Sequence, residues 1–122
     1  MARKPAIPLE IKEEVFKIVE EFNRKHFSQK QHPLIRMLYS NPKRGYVARF
    51  KGKFLYLDHT DYGRASEICR LTWKGQMDHW DFAIYRHTRN FYDPDEWMFP
   101  GAQHVDGTVE GAMKAGMEAY PM

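Results

Sequence analysis

The chain has 122 residues, 43% of them hydrophobic and 15% aromatic, with a formal net charge of +3. That length suits one domain, which buries roughly two-thirds of its unfolded surface and needs no disulfide or metal staple. A single cysteine, Cys69, excludes an intramolecular disulfide and any cysteine-built zinc site, and no apolar run approaches the ~18 residues of a membrane helix.

Residues 8–27 predict a helix, because Ile11, Val15, Ile18, Val19 and Phe22 form one apolar stripe. Pro8 suits its first turn, Glu10, Glu13 and Glu14 complement the positive end of the helix dipole, and Lys25 and His26 the negative end. Residues 1–7 read as an N-terminal tail. The Ser28–His32 stretch and Pro33 end the helix, residues 34–39 fit either a short helix or an extended segment, and Asn41–Gly45 reads as a turn.

A hairpin follows, with strands Tyr46–Phe50 and Lys53–Asp58 joined by Lys51-Gly52. A two-residue turn there sets Arg49 opposite Phe54 and Ala48 opposite Leu55. Tyr46, Ala48, Phe50, Leu55 and Leu57 then share one face, and Val47, Arg49, Phe54 and Tyr56 the other. Residues 59–66 read as a loop. Strands Ile68–Trp73 and Trp80–His87 come next, with Cys69, Leu71, Trp73, Trp80, Phe82 and Ile84 on the apolar side and Arg70, Thr72, Asp81, Ala83, Tyr85 and His87 opposite. Phe91-Tyr92 fits a short edge strand, and residues 93–105 a loop punctuated by Pro94 and Pro100-Gly101. Asp106 predicts the N-cap of a last helix over about 107–119, with Val109, Met113, Gly116, Met117 and Tyr120 inward and Gly111 and Gly116 serving close packing.

The expected architecture is α+β: an N-terminal helix, a four- to five-stranded antiparallel meander and a C-terminal helix, with both helices on one sheet face. The other face then exposes Arg49, Tyr56, Arg70, Tyr85 and His87. Such rings and guanidinium groups suit a protein interface, including a homodimer, and also the stacking of single-stranded nucleic acid.

Charge is unevenly distributed. From Phe22 to Leu57 there are nine Lys and Arg and no acid, whereas from Asp93 onward six acids face the single base Lys114. That asymmetry suits an anionic partner, or two complementary surfaces meeting within or between chains. The six histidines show no helical H-x-x-x-H spacing; the one metal set worth naming is His87, His104 and Asp106, and it requires the loop before His104 to fold back. Asp93, Asp95 and Glu96 offer clustered carboxylates, yet no nucleophile or partner base accompanies them, and a turn closed by the Asp93 side chain accounts for them. No catalytic residue, cofactor pattern or membrane-binding pattern is legible, and a cytoplasmic binding domain acting through protein association is the expectation, with a metal-dependent or acid/base enzyme at the His87, His104 and Asp106 region as the alternative.

The segments Ile68–Trp73, Trp80–Arg86 and Phe91–Pro94, with His32–Arg36 leading into Tyr46–Leu57, resemble a prokaryotic family of small α+β domains of unknown function over roughly residues 8–94. The ending, His104–Gly116 with Ala119–Pro121, looks particular to a subgroup. The resemblance implies an α+β fold and carries over no catalytic residue.

Overall fold

The computed structural model describes residues 6–27 and 44–122. Helix α1 runs Leu9–Phe27, and the strands are β1 (Arg44–Lys51), β2 (Phe54–Asp61), β3 (Arg64–Thr72), β4 (Asp81–Arg86) and β5 (Phe91–Asp93). A 3-10 turn at Ala102–His104 leads to helix α2, Val109–Ala119. The strands form one antiparallel meander in the order β1-β2-β3-β4-β5. The expectations for residues 28–43 lie outside the described residues.

Both helices cover one face of the sheet. Val15, Val19 and Phe22 of α1 and Val109, Ala112 and Met113 of α2 close over Tyr46, Leu55, Leu57, Cys69, Leu71, Phe82 and Ile84. Tyr46 ties the layers together. Its backbone N–H donates to Asn23 Oδ1 (2.8 Å), its carbonyl accepts from Asn23 Nδ2 (2.9 Å), and its hydroxyl donates to the Met113 carbonyl (2.6 Å). The buried Asn23 thus satisfies a backbone pair at the start of β1 where a bare apolar contact would leave it unpaired. Gly116 lets α2 approach: a Cβ there would lie 2.3 Å from Tyr46 Oη and 2.6 Å from Ile68 Cγ2.

Several details depart from the sequence reading. Ile7, placed in the tail, is 3% exposed and donates its N–H to the Gly52 carbonyl. Pro8 stands outside α1, and its carbonyl accepts from Ile11 and Lys12. The first hairpin turns at Gly52-Lys53, so Arg49 pairs with Tyr56 and Ala48 with Leu57. Gly52 has φ 60° and Lys53 is not left-handed, the pattern of a II′ turn, which takes glycine first. The partner is displaced by two residues, a full repeat of the pleat, so the two faces are as expected.

The segment 59–66 is not a loop. β2 continues to Asp61 and returns from Arg64 through Tyr62-Gly63, both at positive φ (48° and 92°), the signature of a type I′ turn. Residues 61–66 are exposed because this hairpin tip projects past the helices, which is why its composition imitates a loop. A register shift opposite Leu57/Asp58 leaves Ile68 as a bulge, and Ile68 and Cys69 are both fully buried. At the other end, Thr108 rather than Asp106 caps α2: its hydroxyl accepts from Gly111 N at 3.0 Å, while Asp106 accepts from the Thr108 N–H and hydroxyl and so holds the cap in place.

Candidate binding face

Alternation along the strands puts Arg49, Tyr56, Arg70 and Ala83 in one row across β1 to β4 on the face without helices, with Phe54 and Thr72 in the next row. Tyr85 pairs with Tyr92 of β5. In a flat sheet the four spacings from β1 to β5 add up to about 19 Å, more than an arginine and a tyrosine can bridge. Yet Arg49 Nη2 donates to Tyr92 Oη at 3.2 Å, and the Tyr92 ring lies 5.3 Å from that of Tyr56. The sheet therefore curls, and this face is concave. Ala83 permits it, because its small side chain, 3% exposed, leaves room for what lies above it.

Two arginines sit in the bowl in different states. The Arg49 Nε donates to Asp58 Oδ2 at 2.6 Å, and its guanidinium lies 4.3 Å from the centre of the Tyr56 ring. The hydrogen bond to Asp58 holds its pKa above the ordinary arginine value. Burial pushes the Tyr92 hydroxyl up to about 12 despite the opposing field of Arg49, so the phenol stays protonated and can accept from Arg49 while donating elsewhere. Arg70 is clamped between the Phe54 ring (4.6 Å) and the Tyr92 ring (5.4 Å). Its buried Nε has no hydrogen-bond partner, and no carboxylate among the described residues pairs with it. Arg49 is answered; Arg70 is not.

His87 stands at the rim. Its ring packs on Tyr85 (4.8 Å) and Tyr120 (4.9 Å), and its Nε2 lies 3.0 Å from the Glu67 carbonyl, while the Tyr120 hydroxyl donates to the Tyr85 carbonyl. The five residues expected on this face are thus brought onto one continuous surface. Sequence reasoning missed Tyr92 as the strut across the bowl and Asp58 as the counter-ion of Arg49. Alternation from Tyr56 would have found Asp58; the reach of Tyr92 depends on curvature, which leaves no local signature.

The metal set does not assemble. His87 is engaged at Glu67, His104 pairs with Glu118 Oε1 at 2.9 Å, and Asp106 is spent on the α2 cap. Among the described residues no group of three or more His, Cys, Asp or Glu is disposed to hold a metal ion. A cavity of about 670 Å³ does open beside His104 and Asp106, also lined by Glu14, Asp78, Glu110 and Lys114. Its acids are mostly engaged already, Glu110 with Lys114 and Asp78 with His79. The 93–96 carboxylates form the expected turn: Asp93 Oδ1 accepts from Asp95 N at 2.9 Å, and Asp93 and Glu96 share Arg86. Cys69 is a free, buried thiol whose pKa burial raises, which keeps it protonated and unreactive.

No helix among the described residues is long and apolar enough to cross a membrane. Comparison with protein-family models, with curated proteins and with solved structures yields no match.

Proposed function

We propose that this domain is a binding module that works by protein association through its concave sheet face, with a second copy of the chain as the partner. The observation that carries this reading is the partly exposed layer of Phe54, Tyr56, Tyr85 and Tyr92 interleaved with Arg49 and Arg70. Tyrosine, phenylalanine and arginine are the residue types enriched at protein interfaces, where rigid rings bury much area at small entropic cost. The acids Asp58, Glu67 and Asp81 occupy the same face and interrupt any continuous phosphate track.

Sedimentation across concentration tests it. Wild type is expected to show a concentration-dependent dimer or higher species, weakened in Tyr56→Ala; a strict monomer at high concentration refutes the reading. Single-stranded nucleic acid is the second reading, favoured by one observation: Arg70, stacked on rings and unanswered by any acid among the described residues. It predicts binding of an oligonucleotide that weakens steeply with salt and in Arg70→Ala, and salt-insensitive binding or none removes it. The metal or acid/base enzyme built from His87, His104 and Asp106 is not carried forward, because those side chains are engaged separately.

A further inference from the structure

Resting on the self-association reading, we infer that the bowl of one copy receives the Asp95–Met98 loop of the next, with the Asp95 carboxylate on Arg70. Arg70 is half-buried, fixed by two rings and paired with no carboxylate among the described residues, so an incoming carboxylate on its guanidinium gains a charge-assisted pair with little loss of side-chain freedom. A concave face accepts a protruding segment better than the flat face of a second sheet.

The loop is built as such a protrusion. Met98 is 93% exposed and Trp97 49%, although large apolar side chains are normally covered. Its backbone is nevertheless held, by Asp93 accepting from Asp95 N, by Glu96 Oε1 accepting from Met98 N, and by Arg86 gripping Asp93 and Glu96. Asp95 is the exposed acid of this cluster whose carboxylate makes no ion pair among the described residues. Trp97 stacks toward Phe82 and Phe99, and Phe82 belongs to the helix-covered face, so the loop points away from the bowl of its own chain. The contact is therefore between copies. It joins two different patches, so it closes as a two-fold dimer in which each loop enters the other's bowl, or continues head-to-tail into a ring or a chain of copies.

Complementation tests it. Arg70→Asp and Asp95→Arg, each confirmed folded by circular dichroism and thermal melting, are expected to self-associate at least about tenfold more weakly than wild type, because each sets like charges together. Mixed together they associate again, since the native bowl of Asp95→Arg meets the native loop of Arg70→Asp. Trp97→Ala is expected to weaken wild-type association as well. If wild type associates but the single variants match it, or the mixture stays as weak as its parts, the loop-in-bowl contact is wrong while self-association stands. If wild type is a strict monomer, both fall. The Asp95 side chain plays no part in holding the loop, so if Arg70→Asp fails to fold, Asp95→Arg associating as tightly as wild type still overturns the contact.

Discussion

Replacing His59 with phenylalanine is expected to change how stability depends on pH far more than it changes stability at neutral pH. His59 is 5% exposed on the helix-covered face, its ring lies 4.4 Å from that of Tyr46, and its Nε2 is buried without a hydrogen-bond partner. Burial pulls its pKa from 6.5 down to about 4. The unfolded chain therefore takes up a proton below pH 6.5 that the folded chain refuses until about pH 4. In that window the unfolded state binds more protons, so stability falls as pH falls. Above pH 6.5 the residue contributes no pH dependence, and below about 4 the loss levels off. At about 1.4 kcal/mol per pH unit, the total comes to about 3 kcal/mol, a large part of the 5–15 kcal/mol that holds a domain of this kind together. Phenylalanine keeps an aromatic edge against Tyr46 and removes the unsatisfied nitrogen, so at pH 7.5 the variant is expected to match or exceed wild type by about 1 kcal/mol. Urea denaturation of both proteins from pH 8 to pH 4 measures the difference, and every carboxylate common to the two cancels from it. The wild-type deficit should grow by about 1.4 kcal/mol by pH 5.5 and about 3 kcal/mol by pH 4. Parallel curves, differing by a constant across the range, would show that His59 titrates normally in the folded protein and would refute the reasoning.

Two further substitutions probe backbone and packing. Gly116→Ala gains about 1 kcal/mol of helix propensity, but its Cβ would fall within 2.3 Å of Tyr46 Oη and displace the hydroxyl from the Met113 carbonyl. A net loss of about 2 kcal/mol is expected in chemical denaturation, and a more stable variant would show that α2 can move away at no cost. Tyr62→Asn, at an exposed turn position with φ 48°, should stabilise by roughly 0.5–1 kcal/mol, since asparagine tolerates the left-handed region that a tyrosine resists. Unchanged or lower thermal stability would contradict the I′ turn.

Much of this protein was legible in one dimension. The period of Val15, Val19 and Phe22 gave α1, and alternation along each strand assigned Tyr46, Leu55 and Leu57 to the core and Arg49, Tyr56 and Arg70 to the other face. Those assignments survived a wrong hairpin register because the partner slid by two residues, one full repeat of the pleat, which returns every side chain to the same face. Local pattern failed where the deciding contact was distant or where exposure disguised structure. The polar tip of β2 and β3 read as a loop because both faces of a projecting hairpin meet water. Asp106 read as a cap because the preference for Asp at that position is shared by Thr108, and only the geometry of the first turn separates the two roles.

What the sequence by itself determined, then, is which residues are apolar at which period, and hence the order of elements and the side of the sheet that each residue takes. What only the tertiary structure decided is curvature and proximity. Bringing Tyr92 from one edge of the sheet to Arg49 at the other, leaving Arg70 clamped and unanswered beneath it, and holding His87, His104 and Asp106 to separate partners are consequences of how five strands coil together. Strand coiling arises from the summed twist of every pair and from the small side chain at Ala83, and no window of the sequence contains that sum.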